Sequence, residues 1–538
     1  MLDFDAVRNL TVGRMLADAA RRYADREAYV FDDVRLSFTD VAQQSARVAR
    51  ALLALGIKKG DPVAVWMAGH AEWTALYFGA LRIGAVLVPL NTRLTARELS
   101  FCMDNSGASL LFFKNETTGS GKHYGSLLAE VLPELAGSRP GELKAAQVPR
   151  LTRVVDLAVP AERGAESFEV FLARGDALDA ARLSEAEAAV APMDVSLIAY
   201  TSGTTSTPKG AMLNHAGILR GALEVWTFLA AQERDAVFSV QPYFHSGGAI
   251  PQMLAPIVAG CRIVTQPYFN AGRALQLMER EGVTVLVGHQ PHFVEYVNHA
   301  DFAPQRLKIE RGLIIGPPET FRMVRDKMGI QGLVSAYSSS ETQLVGTASS
   351  LSDPEEARFN TNGRPSRGVE VEIRDPDTGA LLGVGEEGEI FMKVPYPMLG
   401  YLNDPVRTAE VLDDKGWYRT GDKGVLRPDG NMRLLGRVRD MIRVGGENLS
   451  GAEVEACLME HAAVKQAAAI PAPDPRLGEV VVAFVELKAG AKAGADALIE
   501  HCRERLARYK VPRAIYFVTE WPVSGSGKLL RRSLVIPK

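Results

Sequence analysis

The stretch Tyr200-Thr201-Ser202-Gly203-Thr204-Thr205-Ser206-Thr207-Pro208-Lys209-Gly210 decides how this 538-residue chain is read. Residues 196–200, Ser-Leu-Ile-Ala-Tyr, have the pattern of a short buried strand leading into it. Beyond it, Asn214 is placed to cap a helix with Ile218, Leu219, Ala222, Leu223, Trp226 and Leu229 on its apolar face. A strand feeding small hydroxyl residues, glycine and one lysine points to a phosphate cradle. Backbone N–H groups approach an anion closely where side chains are small, and Lys209 adds a point charge. The same residue types also build ordinary surface loops, so the surrounding chain must decide.

A chain of 538 residues exceeds what one hydrophobic core supports, and two or more domains are expected. Its 47% hydrophobic and 23% charged residues suit a soluble globular enzyme. A net charge of -3 gives no electrostatic reason for nucleic acid or an anionic membrane as partner. Cys102, Cys261, Cys457 and Cys502 are far apart and form no C-x-x-C pair. That spacing argues against a disulfide framework or a structural zinc site and fits a reducing compartment. The opening residues, Met1-Leu2-Asp3-Phe4-Asp5, are acidic where a secretory leader is basic. The most apolar window, 75–90, is interrupted by Arg82 and is too short to span a bilayer. A cytoplasmic protein with no membrane span is expected.

Strand-like and helical patterns alternate through most of the chain. Strands are expected at 28–31, 34–37, 62–67, 84–90, 236–240, 261–265, 283–288 and 332–336. Helices are expected at 39–55, 71–83, 95–104 and 246–259, the last capped by Gly260. This is the pattern of parallel α/β structure. Residues 115–150 read as irregular surface, and 177–191 as an exposed helix or linker. From about 360 the pattern changes to short strands with turn signals, and from about 440 to a smaller α+β unit.

Two glycine motifs are set aside. Gly383-Val384-Gly385-Glu386-Glu387-Gly388 fits G-x-G-x-x-G but is followed by a strand, so no helix N-terminus is available for a pyrophosphate. Gly525-Ser526-Gly527-Lys528 lacks the first glycine of a P-loop, where Pro522 stands, and Leu529 replaces its Ser or Thr. Other stretches fit together. Tyr337-Ser338-Ser339-Ser340-Glu341 puts a ring, hydroxyls and a carboxylate at the carboxyl end of a strand, the edge where open α/β sheets bind ligands. Glu341 is suited to hold Mg²⁺ against phosphates, the alternative from this stretch alone being a solvated loop glutamate. Trp417-Tyr418-Arg419-Thr420-Gly421-Asp422 sets a carboxylate on a turn, suited to accept two ribose hydroxyls. Residues 436–448, charged and ending in Gly445-Gly446-Glu447-Asn448, read as a hinge or as a charged linker.

In this order the motifs resemble those of the acyl-adenylate-forming (AMP-binding) enzymes, which include acyl-CoA synthetases, peptide-synthetase adenylation domains and luciferases. Residues 200–210 match their Tyr/Phe-Thr-Ser-Gly-Thr-Thr-Gly-x-Pro-Lys-Gly loop, except that Ser206 replaces a glycine. Residues 337–341 resemble Tyr-Gly-x-Thr-Glu, with Ser338 and Ser340 as departures; 418–422 match Tyr-Arg-Thr-Gly-Asp, and 522–528 match Pro-x-x-x-x-Gly-Lys. The resemblance implies an α/β fold. Its large multi-layer N-terminal domain, 1–437, has sheets flanked by helices and a β-rich subdomain. A small mobile α+β C-terminal domain, 438–538, carries the catalytic lysine, with a hinge near Arg439. It also implies a two-step reaction: a carboxylate attacks the α-phosphate of ATP to give an acyl-adenylate and pyrophosphate, and a thiol then displaces AMP.

The resemblance further assigns Thr201, Ser202, Gly203, Thr204, Thr205 and Lys209 to the outer phosphates, and Glu341 to Mg²⁺. Tyr337 is placed against adenine, Gly316, Pro317, Ser338 and Ser340 around the nucleotide, and Asp422 with Arg437 at the ribose. Lys528 is placed to bridge the carboxylate and the α-phosphate. Gly445, Gly446 and Glu447 line the coenzyme A route. Enzymes activating α-amino acids resemble Phe-Asp where this chain has Phe244-His245, as acyl-CoA synthetases of fatty or aryl acids do. His245 is read as a carboxylate-orienting or gating residue, against the alternative of a structural histidine. The acyl pocket is expected to include Ser246, Gly248, His289, His292, Ala336 and Ser339. Its polar run, Gly288-His289-Gln290-Pro291-His292, favours a hydroxylated, keto or aryl acid and lacks a third ligand for zinc.

The leading expectation is an ATP-dependent acyl-CoA ligase using a carboxylic acid, ATP, Mg²⁺ and coenzyme A; a homodimer is compatible with it. One alternative delivers the acyl group to a carrier-protein phosphopantetheine. Another, suggested by Ser206, Ser338 and Gly316-Pro317-Pro318, is a degenerate nucleotide-binding homologue.

Overall fold

The computed structural model describes residues 4–117, 121, 123–201, 207–376, 378–438, 441–522, 531 and 534–537. It divides into two compact units. The first comprises Met1–Thr92, Cys102–Tyr200 and Gly210–Leu435; the second comprises Arg93–Phe101, Thr201–Lys209 and Gly436–Lys538.

Two seven-stranded sheets organise the first unit. One runs in the order Gly332–Val334, Arg311–Ile315, Val285–His289, Ala236–Ser239, Arg262–Thr265, Glu27–Phe31, Val34–Ser37. Its strands pair in parallel except for the terminal hairpin. The other runs Glu166–Ser167, Arg153–Asp156, Leu110–Phe113, Pro62–Trp66, Val86–Pro89, Val195–Thr201, Lys209–Asn214. Strands such as Val86–Pro89 and Leu110–Phe113 are buried at every position, as parallel strands covered on both faces must be. The helix His215–Phe228 is buried from His215 to Trp226 and shares one core with Phe38–Ala54 and Glu72–Arg82. Asn214 caps it as expected, its Oδ1 accepting from Gly217 N at 2.7 Å.

Four strands, Glu370–Arg374, Glu387–Lys393, Trp417–Leu426 and Met432–Arg437, form the β-rich sheet expected after 360. The second unit carries Glu447–Ser450, Met441–Val444, Gly478–Leu487 and Val464–Asp474 in one sheet, with Ala514–Phe517 added in parallel. Helices Gly451–Met459 and Ala495–Arg503 pack on it. The fold is the mixed α/β arrangement that the alternation predicts. Among the described residues no helix is long and apolar enough to cross a membrane.

Four local expectations need correction. Residues 115–150 include a helix, Tyr124–Val131, and Tyr124, Leu128, Val131, Leu143 and Val148 are buried; intervening polar residues mask this periodicity. A strand, Lys209–Asn214, separates the 200–210 stretch from its helix. The expected 332–336 strand stops at Val334, and Ala336–Ser339 belongs to a different, three-stranded sheet with Leu344–Ala348 and Arg364–Pro365. Asp422 lies inside the strand Trp417–Leu426 rather than on a turn.

Candidate active site

Adjacent parallel strands of the first sheet end together. Ser239 pairs with Val287, His289 with Ile315, and Leu313 with Val334. Their carboxyl ends therefore deliver four segments to one edge: the 241–248 loop, His289, Gly316-Pro317 and the 335–341 segment. That is where ligands bind in open α/β sheets.

Each segment is held by identifiable contacts. Tyr243 is fully buried; its ring packs on Trp73 at 5.8 Å and on Phe31 at 6.2 Å, and its hydroxyl accepts from Gln252 Nε2 at 3.2 Å. Burial pushes the Tyr243 phenol well up, so it remains a neutral anchor for the loop. Gly248 follows at a point where a Cβ would stand 2.2 Å from the Pro242 carbonyl oxygen, which only glycine tolerates. Partly exposed His245 lies between them, and its carbonyl accepts from Gly248 N and Ala249 N at the start of the Gly248–Gln252 turn.

Across the edge, Ser246 and Ser340 hydroxyls meet at 3.0 Å, joining the histidine loop to the glutamate turn. Glu341 accepts from the Tyr401 hydroxyl at 2.9 Å. Thr342 is buried and ties the turn together: its hydroxyl donates to Leu344 O at 2.9 Å, and its N–H donates to Ser339 Oγ at 3.1 Å. Gln343 and Leu344 follow at φ 53 and 110, backbone conformations that cost about 1–3 kcal/mol each and cluster at functional sites.

Asp422 reaches this region through a bulge. Glu389 pairs with Lys423 but Phe391 with Arg419, so the Trp417–Leu426 strand carries extra residues there, with Gly421 at φ 71. Thr420 fixes the bulge, donating to Ile390 O at 2.7 Å and accepting from Asp422 N at 3.0 Å. The buried Asp422 carboxylate then accepts from the Tyr337 hydroxyl at 2.6 Å. Tyr337 itself packs with Ile373, Ile390, Met392 and Met432 and is 6% exposed. Local sequence signals a turn at Thr-Gly-Asp, but pairing with the neighbouring strand makes it a bulge.

The remaining positions are distributed as follows. Thr201 ends its strand and Lys209 opens the next. Gly316 and Pro317 are exposed between the strand ending at Ile315 and the helix Pro318–Met323, and Ser338 is also exposed. Ala336 and Ser339 bound the strand that carries Tyr337. His292 is in the helix after His289; its Nδ1 accepts from His289 N at 3.3 Å and its ring lies 4.7 Å from that of Phe269. No group of three or more His, Cys, Asp or Glu among the described residues is arranged to hold a metal ion. In the second unit, Gly445 and Gly446 have φ 56 and 88 and form the two-residue hairpin turn between Met441–Val444 and Glu447–Ser450. Glu447 pairs with Arg93 at 2.9 Å. Ser202, Gly203, Thr204, Thr205, Ser206, Arg439, Lys528 and the side chain of Arg437 lie outside the described residues.

Comparison with known proteins shows the family. The family model for AMP-binding enzymes matches residues 16–402, and that for the AMP-binding enzyme C-terminal domain matches 453–528. The chain belongs to the acyl-adenylate-forming superfamily. It is an AMP-forming acid–thiol ligase of the acyl-CoA synthetase branch. It is 32% identical over 530 residues to YngI of Bacillus subtilis, covering 97% of this chain and 96% of that one. It is 30% identical over 537 residues to the mouse mitochondrial medium-chain acyl-CoA ligase ACSF2, covering 98% and 87%. Among solved structures, the amide bond synthetase McbA from Marinactinospora thermotolerans superposes with a TM-score of 0.80 at 26% identity, covering 97% of this chain and 98% of that one.

Three residues beside this edge escape sequence reading. Tyr401, Thr342 and Gln343 carry no motif of their own. Tyr401 reaches Glu341 because 399–402 runs beside the Lys209–Asn214 strand, with Met212 N donating to Gly400 O at 2.9 Å and Leu402 N to Gly210 O at 2.8 Å. Only tertiary pairing reveals that.

Proposed function

We propose that the ligase is an ATP-dependent acyl-CoA ligase, converting a carboxylic acid, ATP and coenzyme A into acyl-CoA, AMP and pyrophosphate through an acyl-adenylate. The observation carrying this reading is the convergence of Tyr337–Asp422, Glu341–Tyr401 and Ser246–Ser340 at one sheet edge. These are the elements a nucleoside triphosphate and an acid need side by side. Asp422, with Arg437, receives the ribose hydroxyls, and Tyr337 flanks the base and orients Asp422. Gly316, Pro317, Ser338 and Ser340 border the nucleotide.

Glu341 with neighbouring hydroxyls is an oxygen-only donor set that suits Mg²⁺, which neutralises phosphate charge when bound. Thr201, Ser202, Gly203, Thr204, Thr205 and Lys209 hold the departing pyrophosphate. Lys528 draws the carboxylate and the α-phosphate together, since two anions approach only where cationic groups are fixed in advance. His245 orients the acid, and Ser246, Gly248, His289, His292, Ala336 and Ser339 shape its pocket. Gly445, Gly446 and Glu447 line the thiol route. Residues 438–538 form a mobile domain hinged near Arg439, and the enzyme works in the cytoplasm. The polar pair His289 and His292 favours an aryl, keto or hydroxylated acid.

A panel of such acids and plain medium-chain fatty acids, assayed for pyrophosphate release with and without coenzyme A, tests the reading. Acid-dependent release that coenzyme A accelerates, with acyl-CoA formed, is the expected result. Release without thioester would move the acceptor to a carrier-protein phosphopantetheine or an amine. No release with any acid would leave a nucleotide-binding homologue. Lys528→Ala is expected to abolish acyl-adenylate formation while sparing thioester formation from supplied acyl-adenylate; equal loss of both half-reactions would remove Lys528 from that role.

A further inference from the structure

The strands Val195–Thr201 and Lys209–Asn214 bracket the 200–210 stretch, and their facing ends are held from a third element. A Cβ on Gly210 would stand 3.3 Å from Tyr200 Cε1 and 2.8 Å from Ile198 Cγ2, so the Tyr200 ring closes against Gly210 where the chain returns. The Tyr200 hydroxyl donates to Asn105 Oδ1 at 2.7 Å and also lies 3.1 Å from the Cys102 carbonyl oxygen. Burial pushes the Tyr200 phenol well up, so it remains a neutral donor. Asn105, half-buried, stands near the end of the helix Ala96–Ser106 and belongs to no motif.

With its backbone, Asn105 holds a second segment. Its carbonyl accepts from Asn403 Nδ2 at 3.0 Å. Asn403 has φ 55, a left-handed conformation that asparagine tolerates better than most residues. This bond fixes the end of the run in which Leu402 N donates to Gly210 O at 2.8 Å and the Tyr401 hydroxyl donates to Glu341 at 2.9 Å. Tyr401 also bridges to Ala211, next to Gly210. One residue therefore holds the entry to the phosphate stretch with its side chain and, with its carbonyl, the run that brings Tyr401 to Glu341.

We infer that Asn105 is a positioning residue for the outer phosphates of the nucleotide, fixing Tyr200 and Asn403 so that the ends of the 201–209 stretch keep their register with the Tyr401–Glu341 pair. The inference rests on the function proposed above, in which that stretch holds the outer phosphates and Glu341 their Mg²⁺. Groups that meet an anion bind it more tightly when they are fixed before it arrives, because ordering them on binding costs affinity. The Tyr200–Asn105–Asn403 chain does this ordering in advance.

The test is calorimetric titration of the full chain with Mg·ATP and, separately, with AMP. Asn105→Leu keeps the side-chain volume and removes the acceptor. Its Kd for Mg·ATP is expected to rise about fivefold, the Cys102 carbonyl limiting the loss by still accepting from the phenol. AMP, which lacks both outer phosphates, is expected to bind unchanged. Tyr200→Phe should give the same rise, and combining the two should add nothing, because both remove one hydrogen bond. Asn105→Asp retains an acceptor and should restore tight Mg·ATP binding. Asn403→Gly keeps the left-handed backbone, removes the donor and should also weaken Mg·ATP selectively. The inference is overturned if Asn105→Leu binds Mg·ATP as the wild type does, if AMP and Mg·ATP weaken together, or if Asn105→Asp behaves like Asn105→Leu. Should Asn105→Leu fail to fold, Tyr200→Phe and Asn403→Gly decide by the same two titrations. Calorimetry needs no turnover, so a wild-type chain that binds Mg·ATP but releases no pyrophosphate with any acid counts against the ligase function alone. A wild-type chain that binds no Mg·ATP overturns both.

Discussion

The hydrogen bond from Tyr337 to Asp422 fixes one carboxylate oxygen before any ligand arrives, and its loss should be felt in binding more than in folding. Tyr337→Phe keeps the ring in its pocket and removes the donor; a hydrogen bond to a charged acceptor is worth about 1.5–3 kcal/mol, so KM for ATP should rise about tenfold or more. Pyrophosphate-release kinetics would show this, and an unchanged KM would separate Asp422 from the nucleotide. Glu341→Ala should raise the Mg²⁺ concentration needed for half-maximal rate, measured by metal titration at fixed ATP.

His215 carries a different consequence. It is buried at the start of its helix, its Nδ1 accepts from Val12 N at 3.4 Å, and burial pushes its pKa down to about 4 from 6.5. Because the unfolded chain takes up this proton first, the contribution of neutral His215 is complete above pH 6.5 and is lost as pH falls towards 4. The loss amounts to roughly 3 kcal/mol. Denaturant unfolding at several pH values should show the slope, and His215→Gln should flatten it. Glu341 and Asp422 stand out in the sequence because each belongs to a motif, whereas His215 and Tyr401 gain their contacts only from distant partners.

Elements were legible where a period ran uninterrupted. The Phe38–Ala54 helix and the Glu27–Phe31 and Val34–Ser37 hairpin lie within a residue of their expected limits. The Thr-Gly-Asp segment was not, because a bulge is a property of two strands and only one is read at a time. The same holds for close helix packing. A Cβ on Gly221 would stand 2.2 Å from the Gln343 carbonyl oxygen, so the His215–Phe228 helix approaches the 343–344 backbone through that glycine. Gly221→Val should overpack this crossing and lower stability by about 1–3 kcal/mol, visible as a lower denaturation midpoint with unchanged denaturant slope.

For the molecule as a whole, alternation announces parallel sheets but not their strand order. Neighbours such as Glu27–Phe31 and Arg262–Thr265 are joined across most of a domain's length. Nor does sequence show that Arg93–Phe101 belongs with the second unit. Within that unit the buried Lys510 ammonium donates to Glu98 at 2.7 Å and to Glu453 at 2.6 Å. Burial pushes Glu453 up to about 7 even with Lys510 beside it, and Glu98 adds to the shift. Lys510→Met would leave the two carboxylates facing each other in the core, at a cost of about 3–5 kcal/mol. That cost should be smaller at pH 6 than at pH 8, since proton uptake relieves the repulsion. Thermal unfolding at the two pH values checks the sign, and a pH-independent loss would refute it.

Gln343 has one further consequence. Its side chain accepts from Asn214 N at 3.1 Å and donates to the carbonyls of Tyr396 and Pro397 at 3.0 and 2.9 Å. It does so in space that only a glycine at 217 leaves open, since a Cβ there would stand 2.1 Å from the Gln343 Cδ. The two positions therefore constrain one another. A lineage that first shortens residue 343 can later acquire a side chain at 217, whereas the reverse sequence passes through a clash. Substitution at either site restricts what the other can become, so their mutational effects should be strongly non-additive in a double-mutant cycle.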